Sequence, residues 1–143
     1  MNVAEVMVTV VRFLDADVSL QTAARIMKRF DVGCVLVGSE GHAAGVLTDR
    51  DIVLRAVASG EDLSTITIAE VMTPDPMFCR VDDSIAQAIR IMHDHEVRRL
   101  PVLNQDRTVA GIVSISDISK HVSHRVAGEL IDTVSSQADY DAI

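Results

Sequence analysis

Apolar side chains recur along this chain with the period of helices in some stretches and as short unbroken runs in others. Leu20, Ala23, Ala24, Met27 and Phe30 fall at i, i+3, i+4, i+7 and i+10, the spacing of one helix face, and Ile85, Ala88, Ile89 and Met92 repeat that stripe. Ser19 and Ser84 stand at the N-cap positions, and Gln87 completes a capping box with Ser84. The runs Val35-Leu36-Val37 and Leu100-Pro101-Val102-Leu103 follow, then turn-prone stretches at 38–42 and 104–108, then Gly45-Val46-Leu47 and Gly111-Ile112-Val113. Continuous runs of this kind predict strands covered by helices. Second helices are predicted from about 50 to 59 and from about 116 to 123, and short strands at 11–14 and 77–81. Asn2-Val3-Ala4-Glu5 and Thr67-Ile68-Ala69-Glu70 read as capped turns, and Thr73-Pro74-Asp75-Pro76 ends the second of them.

The whole pattern occurs twice. Ala4-Glu5-Val6-Met7 returns 65 residues later as Ala69-Glu70-Val71-Met72, and Ser19, Ala23, Arg25 and Met27 return as Ser84, Ala88, Arg90 and Met92. After one inserted residue the offset is 66, and Ala44-Gly45 with Asp51-Ile52 return as Ala110-Gly111 with Asp117-Ile118. This is a duplicated unit of about 60 residues, each half running strand, helix, strand, strand, helix. The expected fold is mixed, α/β (α+β), with two half-domains packed by pseudo-twofold symmetry, since neither half alone buries much core. The expected division is 1–60, a linker at 61–66, 67–124, and a tail at 125–143. In the tail Val122, Val126, Leu130 and Val134 extend the last helix as an amphipathic arm, weakened by Gly128, with a frayed end from Ser135. Paired ligand clefts suit such symmetry better than one asymmetric catalytic centre.

Composition narrows the function classes. Apolar residues make up 48% but aromatics only 3%, so Val, Ile, Leu, Ala and Met must build the core. A formal charge of −8 argues against nucleic acid or an anionic membrane as partner, and any anionic ligand needs a local basic pocket. No apolar run approaches the roughly 18 residues of a membrane span, and no basic segment opens the chain, so a cytoplasmic location is expected. Cys34 and Cys79 are not equivalent in the repeat and form no CxxC; buried inert thiols are expected, with a redox-responsive pair as the alternative. His93, Asp94 and His95, and His121 with His124, offer a divalent-metal alternative to solvated helix-end histidines, the preferred reading. No nucleophile–base motif, phosphate-binding Walker loop or dinucleotide fingerprint is present, so an enzyme is not expected.

The candidate chemistry lies in Thr48-Asp49-Arg50-Asp51 and its twin Ser114-Ile115-Ser116-Asp117. Each follows a Gly-led apolar strand and opens a helix. A hydroxyl with free helix-start N–H groups can hold phosphate, and the carboxylate three residues on can accept both hydrogen bonds of a ribose diol. The same spacing is also a near capping box, in which both side chains merely satisfy helix-end donors. Duplication copies caps as readily as sites, so both readings stand.

The order of capped turn, Pro-rich link, short strand, amphipathic helix, Leu-Pro-Val and Gly-apolar-apolar-[Ser/Thr]-x-x-Asp resembles the CBS domain, named after cystathionine β-synthase. The tandem resembles a CBS pair, or Bateman module, over roughly residues 2–124, in the manner of small stand-alone bacterial CBS-pair proteins. Val97-Arg98-Arg99-Leu100-Pro101-Val102 and Leu47-Thr48-Asp49-Arg50-Asp51-Ile52 carry the likeness most closely. The resemblance implies a regulatory adenine-nucleotide sensor of the AMP, ADP or ATP class, with the ligand in clefts between the CBS domains and no required cofactor. It implies phosphate or ribose contacts at Thr48 and Ser114, with Arg50 and Ser116 in the same motifs, and ribose contacts at Asp51 and Asp117. The base falls at Met77, Phe78, Arg99, Leu100 and Pro101 in one half, with Arg98 beside it. In the other half it falls at Arg12, Phe13, Cys34, Val35 and Leu36, where Val-Leu departs from the Leu-Pro pattern. It also implies a homodimer and a regulated protein partner. The rival class is a ligand-independent interaction module.

Overall fold

The computed structural model of the chain describes residues 1–39 and 41–135. The chain divides into two compact units, Val11–Pro76 and Met1–Val10 together with the chain from Met77 onward. In the first, β1 (Phe13–Leu14) leads to α1 (Leu20–Phe30), β2 (Cys34–Ser39) and β3 (His42–Thr48). The turn α2 (Asp49–Asp51) continues as a π-helical segment, Ile52–Val57, and α3 (Ile68–Val71) and β4 (Thr73–Pro74) close the unit. The second unit repeats the scheme after a 3-10 turn at Val3–Glu5. It contains β5 (Cys79–Arg80), α4 (Ile85–Asp94), β6 (Arg99–Leu103), β7 (Val109–Ser114), α5 (Ile115–Ser119) and α6 (His124–Ser135).

The helices begin where the sequence places hydroxyls. Ser19 Oγ accepts from the Thr22 amide at 3.2 Å. Ser84 Oγ accepts from the Gln87 amide at 3.1 Å while Gln87 Oε1 accepts from the Ser84 amide at 2.7 Å, a full capping box. Leu20, Ala23 and Met27 of α1, with Val35, Val37 and Leu47 of the strands and Ile68 and Val71 of α3, form one core. Ala88 and Met92 of α4, Leu100, Val102 and Val113, and Val3 and Val6 form the other.

β1 lies parallel to β2, and β2, β3 and β4 are antiparallel neighbours. The second sheet runs β5-β6-β7 with the same senses, and Val8 bridges Ile112 antiparallel at its edge. Val8 is the repeat twin of Thr73 in β4. The opening segment of each repeat therefore completes the sheet formed by the other repeat. Thr73-Pro74 is thus a strand as well as a terminator, which proline tolerates at a sheet edge.

Both repeats spend a glycine on this arrangement. A Cβ on Gly45 would lie 2.5 Å from Met72 Sδ and 3.0 Å from the Thr73 carbonyl oxygen. A Cβ on Gly111 would lie 2.5 Å from the Val8 carbonyl oxygen and 3.0 Å from Met7 Sδ. The repeated Ala-Glu-Val-Met and Ala-Gly motifs are thus two sides of one contact.

Several elements differ from expectation for local reasons. The entry strands are only two residues long. Leu36 N–H donates to the Arg12 carbonyl at 2.9 Å, but its twin is Pro101, which has no N–H to extend the ladder toward Met77. The second helix of the first repeat turns π-helical, with Ala58 N–H bonding the Val53 carbonyl at 2.9 Å. Its twin α5 stops at Ser119, whose hydroxyl bonds back to the Ser116 carbonyl at 2.8 Å and competes with the helix ladder. The tail does not prolong that helix. It starts afresh as α6 at His124, with Ser123 Oγ accepting from the Val126 amide at 3.4 Å, and α6 packs on α4 and α5. Val126 is exposed, the side chains of Leu130 and Val134 lie outside the description, and so does the end from 136, the expected frayed region. The inter-repeat linker is tied down: the Leu63 and Ile66 carbonyls accept from Gln21 and Leu20 at 2.9 and 3.0 Å, and both side chains pack on the first core.

Candidate functional site

The repeated Thr/Ser-x-x-Asp motif forms a reciprocal cap in both units. Thr48 Oγ1 accepts from the Asp51 amide at 3.1 Å, and Asp51 Oδ2 accepts from the Thr48 amide at 3.0 Å. In the twin, Ser114 Oγ accepts from the Asp117 amide at 3.1 Å, while Asp117 Oδ2 accepts from the Ser114 amide at 3.0 Å and from the Ser114 hydroxyl at 2.6 Å. The capping reading is therefore true of both copies. It uses one oxygen of each carboxylate. The other oxygen has a basic neighbour only at ion-pair range: Arg55 lies 3.9 Å from Asp51 Oδ1, and Lys120 lies 3.9 Å from Asp117 Oδ1. Both aspartate side chains keep 17% of their exposure. On these partly exposed side chains Oδ1, oriented by its capped partner oxygen, can accept further hydrogen bonds from a hydroxylated ligand.

Strand register decides which residues join the motif. Cys34 pairs with Thr48 across β2 and β3, and Arg99 pairs with Ser114 across β6 and β7. Side chains alternate between the two faces of a sheet. Leu100, Val102, Val113 and Cys79 face the core, so Arg99, Pro101, Ile112, Ser114 and Phe78 share the opposite face. In the first unit Val35, Val37 and Leu47 face the core, and Phe13, Cys34, Leu36 and Thr48 share the other side. Of the expected base-pocket residues, Val35 and Leu100 have side chains fully buried in the cores, on the face of the sheet away from the motif, which leaves their backbone as what they can offer a ligand. Arg50, Arg98, Arg99 and Ser116 are exposed around the motifs, and Met77 is 41% exposed just ahead of β5.

Sequence reasoning missed four arginine–aromatic contacts. Arg12 stacks on Phe30 with its guanidinium carbon 3.3 Å from the ring centroid, and Arg29 lies 5.4 Å from the same ring. In the second unit Arg80 and Arg107 lie 5.9 and 5.6 Å from the Phe78 centroid. A signal for Arg107 existed in the alignment of the repeats, where it stands opposite Gly41.

The CBS domain model of protein families matches residues 3–57 and 68–124, which covers both repeats with the turns, strands and motif described above. The chain belongs to the CBS domain family. Among curated relatives, the CBS domain-containing protein YhcV of Bacillus subtilis is 35% identical over 137 residues, 95% of this chain and 96% of the relative. Hypoxic response protein 1 of Mycobacterium tuberculosis is 33% identical over 119 residues, 82% of each chain. A crystal structure of Hypoxic Response Protein I with two coordinated zinc ions superposes on this CBS pair with a TM-score of 0.75 at 31% identity, covering 85% of this chain and 99% of that one. A CBS domain pair crystallised with 5′-methylthioadenosine and S-adenosyl-L-methionine has a TM-score of 0.76 at 24% identity, covering 85% and 94%; that likeness is one of fold.

The histidines and cysteines of this CBS pair lie apart from the motifs' capping bonds, save for one backbone contact at Asp117. Among the described residues no group of three or more His, Cys, Asp or Glu side chains is placed to hold a metal ion. His93 pairs with its neighbour Asp94 at 3.2 Å, and His121 Nδ1 bonds the Asp117 carbonyl at 2.9 Å. Cys34 lies in one unit and Cys79 in the other. Burial, reinforced by the charge of Asp83, pushes the Cys79 thiol up to about 12, which keeps it protonated and unreactive. No helix among the described residues is long and apolar enough to cross a membrane.

Proposed function

We propose that this CBS pair is a regulatory sensor that binds an adenosyl nucleotide, of the AMP, ADP or ATP class, at the motif face of its CBS domains, and carries no catalytic centre. The observation that carries the reading is the divided use of each motif aspartate: Oδ2 caps the helix, while Oδ1 takes no part in the cap, on a side chain that keeps 17% of its exposure beside a hydroxyl and a helix start. Such an arrangement gives a ribose acceptor and a phosphate position without dismantling the fold. The second unit is the stronger candidate. It surrounds Ser114 and Asp117 with Arg98, Arg99 and Ser116, and Pro101 leaves the Met77 carbonyl without the ladder bond that Leu36 supplies to Arg12. The first unit offers Thr48, Arg50 and Asp51, with Cys34 where Arg99 stands. The relatives with a bound adenosyl compound support the ligand class by family likeness.

Unfolding midpoints measured with and without ATP, ADP, AMP and S-adenosylmethionine test this. A ligand that binds only the folded chain at a hundredfold excess over its Kd adds about 2.7 kcal/mol of stability. No shift with any of the four ends the nucleotide reading.

A second reading has its own observation. Val53, Leu54 and Val57 on the π-helical segment are each more than half exposed, whereas their twins are Ser119, Lys120 and Ser123. This apolar stripe suits a second copy of the chain or a regulated protein, and a ligand-independent interaction module would need nothing more. Homodimerisation is the expected form. Sedimentation at micromolar concentration should show a dimer, and Leu54→Lys should weaken it.

A further inference from the structure

The turn between β6 and β7 holds Arg107 at φ 69°. This is the left-handed region, costly for a side chain with a Cβ. The twin turn places Gly41 there, at φ 77°. Both residues are left-handed, and where the first unit uses a glycine the second has an arginine. Its guanidinium carbon sits 5.6 Å from the Phe78 ring centroid, with Arg80 at 5.9 Å. The twins of Arg80 and Arg107 are Asp15 and Gly41, so the first unit has no such pair. Neither Arg80 nor Arg107 belongs to the ion pairs Asp51–Arg55, His93–Asp94 and Asp117–Lys120.

The spacing also matters. In the first unit the Arg12–Phe30 stack is closed at 3.3 Å. At Phe78 both guanidiniums stand well beyond that distance. A flat base between a ring and a guanidinium needs about 7 Å, two van der Waals separations, so a shift of about 1.5 Å in a flexible arginine admits one. Phe78 lies on the motif face, two residues along the sheet from Arg99 and Ser114, one strand over from the first and two from the second, which puts them roughly 8 and 12 Å away. A nucleotide anchored at Ser114 and Asp117 brings its base to this ring.

We infer that Arg107 is a ligand-binding residue of the second unit, which closes over a purine base stacked on Phe78. The inference rests on the nucleotide reading above. The backbone strain is the cost of placing a planar cation where the fold calls for glycine. Stacking between an aromatic ring and a guanidinium contributes to affinity for any purine, and leaves the choice among phosphate forms to the Ser114 end.

The test is calorimetric titration of the full chain, wild type and variants, with ATP, AMP and S-adenosylmethionine. Arg107→Gly installs the residue of the twin turn. It should melt no lower than wild type and bind the tightest of the three probes about tenfold more weakly. Arg107→Lys keeps the charge but not the plane, and should bind as weakly as Arg107→Gly. Wild-type affinity in either variant, with Asp117→Ala impaired, overturns the role of Arg107 and leaves the nucleotide reading standing. Wild-type protein that binds none of the three probes overturns both. Phe78→Leu gives an independent readout: unchanged affinity in that variant also refutes the stack.

Discussion

Adding one methyl group at Gly111 should damage the fold more than adding one at Gly45, although the two glycines are repeat twins. At Gly111 the new Cβ meets the Val8 carbonyl oxygen at 2.5 Å. That oxygen is backbone, and the same residue exchanges two hydrogen bonds with Ile112, at 2.8 and 2.9 Å. Relief needs about 0.5–1 Å of movement of the whole segment. Overpacking of this kind costs about 1–3 kcal/mol. Weakening two ladder bonds adds about 0.5–1.5 kcal/mol each at most, and the lower chain entropy of unfolded Ala returns about 0.4–1 kcal/mol. Gly111→Ala should therefore lose about 2–4 kcal/mol. At Gly45 the 2.5 Å neighbour is Met72 Sδ, the flexible end of a side chain, and the nearest backbone oxygen is at 3.0 Å. Gly45→Ala should lose about 1–2 kcal/mol. Urea unfolding measures both, and amide exchange at Val8 and Ile112 shows whether the edge bridge has opened. A loss below 0.5 kcal/mol at Gly111, on the order of a neutral surface change, or a larger loss at Gly45, would refute the close-approach argument.

Asp117 now has two roles to separate. Asp117→Ala should cost about 0.5–2 kcal/mol of stability as a lost cap and weaken nucleotide binding about ten- to a hundredfold; a stability loss with unchanged affinity would leave it a cap alone. Glu96 follows α4 at φ 54° and places a negative charge at a helix C-terminus, so Glu96→Gly should stabilise the fold by about 0.5–1 kcal/mol in urea unfolding, and a loss instead would show that its backbone is not strained. Cys79 gives an alkaline signature. Its thiol titrates in the unfolded chain near its ordinary value of 9.0 but only at about 12 in the folded one, so the unfolded state binds fewer protons between these values and stability falls as pH rises through that window. The slope should approach about 1.4 kcal/mol per pH unit more than in Cys79→Ala, and equal slopes would remove the cause.

Local interactions made much of this protein legible in its sequence. The stripes of α1 and α4, the caps at Ser19 and Ser84, and the Thr48–Asp51 and Ser114–Asp117 boxes join residues three or four apart, so neighbours in the chain encode them without help from the fold. The duplication and the CBS motifs were legible for the same reason, being written in consecutive residues. Three matters needed the tertiary structure. Each Ala-Glu-Val-Met turn matches either Ala-Gly strand in composition, and only long-range pairing sets Met7 against Gly111 and Met72 against Gly45. The unbroken runs Val35-Leu36-Val37 and Leu100-Pro101-Val102 hide the two-residue alternation of a strand. Register alone therefore turns Val35 and Leu100 into the core, and Leu36 and Pro101 toward the motif face. Arg107 meets Phe78 because a parallel strand pair brings the start of β5 beside β6 and its turn, a nonlocal contact that no periodicity along the chain records.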